Sequence, residues 1–237
     1  MKSRWVIGAG VCLEQVFGTW TRTYPQEKVE RIELLPNDDY AFDLSVLNGL
    51  DPGQGTMFVA FDEHFGNFKR MEPMLASMEL GCKLESFISP SAVMPAAAAR
   101  MELVQAAMER GFKLESFVGP SVVVPPDVVI GVNVFIGESS VLGIGSHIDS
   151  NAVIRDGVRL GAGVQLRHSC WLETGVVVGD DADIGAHSIL RIGAVVGSRV
   201  KIGEHCELGW ARLYDKDVPA GTVFDTRYEE PIYVYGE

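Results

Sequence analysis

The sequence predicts a chain in two parts, a small parallel α/β domain followed by a parallel β-helix. Two observations point there. Fifteen aliphatic residues stand six positions apart without a slip, from Val124 and Ile130 through Ile154, Leu172 and Leu190 to Leu208. An aliphatic recurring at that period marks a hexapeptide β-helix. Ahead of it, short apolar runs alternate between strand-like and helix-like patterns, as a parallel sheet with a crossover helix requires.

In chain order, RWVIGAG reads as a buried strand running into a turn, LEQVFGTW as a helix, VERIELL as a second strand and GTMFVAF as a third. The turn at Gly8, Ala9 and Gly10 has two readings. It is either a phosphate cradle, because the first amides of a helix point at an anion, or a plain strand-to-helix connection. Asp38 and Asp39 follow the second strand beside Asn37. Carboxylates there accept hydrogen bonds from a sugar or base, and an ordinary solvated turn is the equal alternative.

An internal duplication comes next. Residues 70–99 match residues 100–129 at 16 of 30 positions without a gap. Each copy reads as a helix ending at Gly81 or Gly111, a strand, and a Pro-Ser turn. The second copy feeds into the repeat; the first is expected to extend the sheet, cap the open end of the β-helix or make an oligomer contact. The predicted division is 1–69 for the α/β domain, 70–117 for the duplicated helix and strand, 118–224 for the β-helix and 225–237 for a C-terminal tail.

In the repeat, three short strands make one triangular coil of eighteen residues. Each hexad sends one large aliphatic inward and, two positions earlier, a small or β-branched residue such as Val134, Ser146, Ala152, Cys170, Ala182 or Cys206. Residues eighteen apart stack at roughly 4.8 Å, with about five coils between 124 and 214. Gly143, Gly161, Gly179 and Gly197 line one corner, where tight backbone geometry is expected. Cys170 and Cys206 point inward two coils apart, roughly 10 Å, beyond disulfide reach. With Cys12 and Cys82 they are too few and too scattered for a disulfide framework.

The totals bound the partners. At 237 residues and 47% apolar the chain can bury a core. Its 20 basic against 32 acidic residues give a net charge of −12, which argues against nucleic acid or an anionic membrane as the main partner. No run of eighteen apolar residues occurs, and the opening MKSRWVIGAG has no secretory h-region. A cytoplasmic protein without membrane insertion is expected.

The unbroken phase sorts the outward residues into stacks. Arg155, Glu173 and Arg191 replace Gly at one corner, so the glutamate is expected between two guanidinium groups, as a structural or interface ladder or as an anion site. Asn151, Ser169, His187 and His205 form a second stack. Adjacent imidazoles are potential metal ligands, but no convincing third ligand stands at matching spacing and no metal is expected. His168, in QLRHSCWLE, is a separate outward imidazole.

The chain resembles the sialic-acid O-acetyltransferase and nucleotide-aminosugar N-acetyltransferase group of hexapeptide acyltransferases. VIGAG at 6–10, FVAF and then GNFKR at 66–70, GFKLESFVGPSVVV at 111–124 and KDVPAG at 216–221 carry the likeness over nearly the full length. It implies a Rossmann-like sugar-nucleotide domain joined to a left-handed β-helix, an exception to the usual right-handed crossover. In RHSCWL, His168 stands at the position of the family's general base, which takes a proton from a sugar amine or hydroxyl attacking the acetyl-CoA thioester. Sites in such trimers resemble clefts between subunits. The family's residue after the histidine is often acidic and orients the imidazole; here it is Ser169. A backbone N–H near Gly179 or Gly185 is expected to hold the oxyanion.

The expected function is therefore acetyl transfer from acetyl-CoA to the amino group of a nucleotide-linked sugar, by a homotrimer with His168 as base. Sugar O-acetylation is the close variant. A non-catalytic sugar-nucleotide-binding or assembly protein on the same scaffold is the alternative from another class, because of Ser169, the duplication, Val11, Cys12 and Leu13 where the family's turn reads Gly-His-Gly after Gly-Ala-Gly, and an end VFDTRYEEPIYVYGE in place of the family's Gly-x-Pro-Ala-Lys segment.

Overall fold

A computed structural model describes residues 2–34, 43–61 and 104–233. The chain divides into two compact units, Met1–Leu114 and Glu115–Glu237.

In the first unit, the apolar run at the N-terminus forms β1 (Ser3–Ala9), followed by α1 (Gly10–Thr23), β2 (Lys28–Glu33), β3 (Gly55–Phe61) and β4 (Lys113–Leu114). They make a parallel sheet ordered β2-β1-β3-β4. All seven residues of β1 are buried, as expected of a central parallel strand covered on both faces. The α1 helix buries Cys12, Leu13, Val16 and Trp20, a single stripe at helical spacing. Gly8 is demanded by packing: a Cβ there would lie 1.6 Å from the Ala60 carbonyl oxygen of β3, and its φ is +145°. Arg4 is buried, and its charge is met by Glu27 at 2.6 Å and by the Tyr24 ring at 3.7 Å.

Residues 104–109 are helical and end as the second copy of the duplication predicts. Gly111 has φ +82°, and Phe112 N–H donates to Ala107 O at 3.0 Å while Gly111 N–H donates to Met108 O at 2.9 Å, the two bonds of a Schellman cap. The strand predicted after it is split. Lys113–Leu114 joins the first unit's sheet and Phe117–Val118 begins the β-helix, so one sequence run serves two sheets. The first copy, residues 70–99, lies outside the described residues.

The second unit is a parallel β-helix of three sheets whose strands pair eighteen residues apart. One face runs Phe117, Phe135, Val153, Trp171, Ile189, Glu207. A second runs Val129, His147, Gln165, Asp183, Lys201. The third runs Val123, Val141, Arg159, Val177, Val195, Leu213. The next residue of each strand faces inward, and Ile136, Ile148, Ile154, Leu166, Leu172, Ile184, Leu190 and Leu208 are all at most 1% exposed. The small positions behave as expected too, from Val134 to Cys206. Ser140, Ser146 and Ser188 donate their hydroxyls to the carbonyls of Arg155, Gly161 and Gly203 at 3.0, 3.0 and 2.8 Å, so their burial leaves no polar cost.

One expectation needs correction. Val124, first of the aliphatic series, is 39% exposed, because the strand pair it flanks is only an isolated bridge between Val123 and Val141. The glycine corner is tight at 143, 161 and 179, as expected, without a left-handed backbone there. Gly143 is small because a Cβ would meet the Gly161 oxygen at 2.1 Å in the next coil. The left-handed residues form another series, one per hexad from 133 to 205: Asn133, Ser139, Gly145, Asn151, Gly157, Gly163, Ser169, Gly175, Asp181, His187, Gly193, Arg199 and His205, with φ from 54° to 83°. Gly and Asn are the cheapest residues there.

Past Leu208 the register shortens. Glu207 pairs with Val223 and Ile202 with Val218, sixteen residues on rather than eighteen. Tyr214 and Phe224 enter the core at that end, and the Arg212 guanidinium lies 4.8 to 5.0 Å from the Trp210, Tyr214 and Phe224 rings. Ile232–Tyr233, in the predicted tail, pairs antiparallel with Thr222–Phe224.

Arg199 isolates the turn constraint, being exposed with φ 62°. Arg199→Val is expected to lower stability by about 1–2 kcal/mol, the cost of a left-handed β-branched residue. Arg199→Gly should leave it equal or higher. Urea denaturation of both variants checks the pair; Val matching Gly would contradict a backbone origin.

Candidate functional site

The second face of the β-helix and the turn after it enclose an open cavity of about 710 Å³, lined among others by Arg167, His168, Asp183, Gly185, Ala186, Lys201, Glu204 and Asp217. Outward strand positions supply Asp183 and Lys201; the turn supplies His168, Ala186 and Glu204 from three successive coils. Arg167 is held by Asp183 in a two-pronged pair, Nε to Oδ1 at 2.9 Å and Nη2 to Oδ2 at 2.8 Å.

His168 is exposed. Its ring packs edge to face on His187 with centroids 4.8 Å apart and planes at 88°, and His187 stacks on His205 at 4.8 Å and 14°. This contact was not legible at a spacing of eighteen. The left-handed residues of this column donate their N–H groups to carbonyls nineteen residues back: Asn151 to Val132, Ser169 to Ser150, His187 to His168 and His205 to Ala186, at 2.9 to 3.1 Å. The stagger brings His168 against the stack from which eighteen-residue counting separates it.

Burial first, then the neighbouring His205 and His168, hold the His187 imidazole below its ordinary value of 6.5, with Glu204 opposing. Ser169 belongs to the amide end of the same column: Asn133 Nδ2 donates to Asn151 Oδ1 at 3.0 Å, and Asn151 Nδ2 donates to Ser169 Oγ at 3.1 Å. Beneath the site, Cys170 is buried with its thiol pushed up to about 12 by desolvation, and it donates to Gly185 O at 3.1 Å. A thiol so placed is no nucleophile.

At three turns a side chain eighteen residues on accepts the N–H two places after the aliphatic: Val132 N–H meets Ser150 Oγ, Glu138 meets Asp156 and Ala162 meets Asp180, at 2.8 to 3.1 Å. For His168 the residue at that offset is Ala186, which has no acceptor. Among the described residues neither the His168 nor the Ala186 N–H has a hydrogen-bond partner, and Ala186 is only 3% exposed.

Among solved structures the chain is similar to PerB from Caulobacter crescentus, in complex with CoA and GDP-perosamine. The identity is 19% over 92% of each chain, with a TM-score of 0.66. A histidine-to-asparagine variant of perosamine N-acetyltransferase from that organism, also with CoA and GDP-perosamine, is 22% identical over 96% of each chain at 0.55. WeeI from Acinetobacter baumannii is 13% identical over 98% of this chain and 100% of its own at 0.50. The likeness is one of fold. Those neighbours are left-handed β-helices, and this chain shares their parallel-stranded architecture. No family description and no curated protein matches the sequence.

Against this geometry the predicted site residues divide. His168 and Gly185 line one cavity; Gly179 does not. The N–H groups of Gly179 and Gly185 are both spent on the inter-coil ladder, to Val196 O and Ile202 O at 2.8 Å. The available donor is Ala186, one residue beyond Gly185, and the signal for it was the small residue eighteen places after His168. Gly8, Ala9 and Gly10 form the β1 to α1 turn, with Ala9 capping the helix without a side-chain bond. Asp38 and Asp39 lie outside the described residues. The charged ladder extends beyond the predicted residues: Arg191 sits between Glu173 at 2.7 Å and Glu207 at 2.9 Å, because a guanidinium also reaches the strand residue sixteen places on, as Arg167 does to Asp183. The described residues hold no group of three or more metal-ligating side chains, and no helix among them is long and apolar enough to cross a membrane.

The depressed His187 gives a pH prediction. Below its ordinary value of 6.5 the unfolded chain takes up a proton that the folded chain resists, so stability present above that pH is lost as pH falls. Melting temperature is expected to drop between about pH 7.5 and 5, and less in His187→Asn. Equal slopes in both proteins would remove His187 as a source.

Proposed function

We propose that this chain transfers an acetyl group from acetyl-CoA to the amino group of a nucleotide-linked amino sugar, with His168 as general base. The observation that carries it is an exposed imidazole at the wall of an open cavity beside a buried backbone N–H, that of Ala186, without an acceptor. Buried donors are nearly always paired, so one left open there fits an oxygen brought by a ligand. The neighbours of this fold were solved with CoA and a GDP-linked sugar.

In the reaction, the sugar amine attacks the thioester carbonyl carbon and His168 takes the proton that nitrogen loses. The carbonyl oxygen gains negative charge and is held by the Ala186 N–H. Collapse breaks the C–S bond, and the CoA thiolate leaves with the proton returned by His168, giving the amide and free CoA. Cys170 takes no part. The turn at Gly8, Ala9 and Gly10 is the proposed nucleotide-phosphate site of the N-terminal, Rossmann-like unit, and a homotrimer would complete the open cavity from a neighbouring copy. A cytoplasmic location fits these substrates.

Mixing the protein with acetyl-CoA and a panel of nucleotide-linked amino sugars should release free CoA, with His168→Ala losing about a hundredfold or more. Full turnover in that variant would sink the general-base role, and turnover only with hydroxyl acceptors would select O-acetylation. CoA at a hundred times its dissociation constant should stabilise the fold by about 2.7 kcal/mol; no thermal shift with any acyl-CoA would favour a non-catalytic scaffold.

A further inference from the structure

In many general-base sites a neighbouring acceptor holds the imidazole in one orientation. Among the described residues His168 has no carboxylate partner, and the residue after it is committed elsewhere, since Ser169 Oγ accepts from Asn151. What touches the His168 ring is His187, fixed on three sides. Its N–H donates to His168 O at 3.1 Å, its ring edge-packs His168 and its other contact is the stacked His205. Resting on the acetyl-transfer reading above, we propose that His187 is the positioning residue of the site, its ring holding the His168 imidazole against rotation at the cavity wall.

The charges around His187 are consistent with that role. His168, His205 and Glu204 face it, and Arg167, Asp183, Lys201 and Asp217 line the same cavity. Burial and two neighbouring imidazoles keep His187 neutral near pH 7, so it packs on His168 without adding a like charge when His168 takes a proton.

The test compares His187→Asn, which removes the ring but tolerates the left-handed turn of φ 59°, with His187→Phe, which keeps an aromatic ring and cannot titrate. His187→Asn is expected to lose about ten- to a hundredfold in kcat, the scale of a misplaced reacting group. The KM for acetyl-CoA should stay within about twofold, and His187→Phe should recover most of the rate. Histidine side-chain 15N spectra supply a readout independent of turnover: one His168 tautomer and narrow lines in the native protein and in His187→Phe, averaged tautomers in His187→Asn. Unchanged kcat in His187→Asn, a KM rising in step with the loss, or a Phe variant as impaired as Asn would each overturn the proposal. If His168→Ala is inactive while His187→Asn is not, only this inference fails. If no acetyl transfer occurs with any acceptor, the acetyl-transfer reading fails and the 15N spectra alone decide whether His187 orders His168.

Discussion

The left-handed residue at every turn of the β-helix is the constraint on which the rest depends. At nine of the thirteen its backbone N–H reaches a carbonyl nineteen residues back while the strands pair eighteen apart, and the two offsets together lock these coils onto one another. A left-handed φ is costly for most residues. The series from 133 to 205 is accordingly Gly, Asn, Ser, Asp, His and a single Arg, with no β-branched residue. A surface turn is thereby filled with polar side chains held at a fixed spacing, which is the raw material of a site.

What makes one turn chemically distinct is the company it keeps. At three turns a Ser or Asp eighteen residues on closes the exposed amide, as Ser150 does for Val132. At His168 that position is Ala186, so two amides open on a cavity that also holds an imidazole. The adjoining face is polar, with Gln165, Asp183 and Lys201 outward, whereas the third face carries Val123, Val141, Val177, Val195 and Leu213. The inward thiols, Cys170 above all, are raised by burial out of the reactive range and belong to packing.

Much of this was legible in the sequence because a β-helix is nearly one-dimensional. Counting in sixes puts Leu172 and Leu190 inside and His168 outside, and counting in eighteens aligns Asn151, Ser169, His187 and His205. The errors share one cause. Contacts between coils also run at offsets of sixteen and nineteen, which a repeat of six does not show. Offset sixteen pairs Arg167 with Asp183 and adds Glu207 to the Arg155, Glu173, Arg191 ladder. Offset nineteen sets His187 beside His168. The N–H groups of Gly179 and Gly185 themselves serve the ladder, since glycine marks where the next coil's backbone comes close, and the open donor near them is that of Ala186. The strand after Gly111 was read as continuous because a two-residue break between sheets leaves no trace in apolar pattern.

By itself, then, the sequence determined the architecture and the inward column of aliphatic and small residues, because an uninterrupted period converts directly into inside and outside, although Val124 is exposed and Asn151 and Ser169, read as outward, are buried. It also singled out His168. The tertiary structure decided which residues meet: that Ser169 belongs to an amide ladder, that Ala186 leaves a donor open, and that an imidazole one coil away packs on the candidate base. The reason is geometric. Burial follows from periodicity along one strand, but a contact between side chains depends on the stagger of successive coils and on left-handed turns that redirect the residues on them, and neither is written in the spacing of any single column.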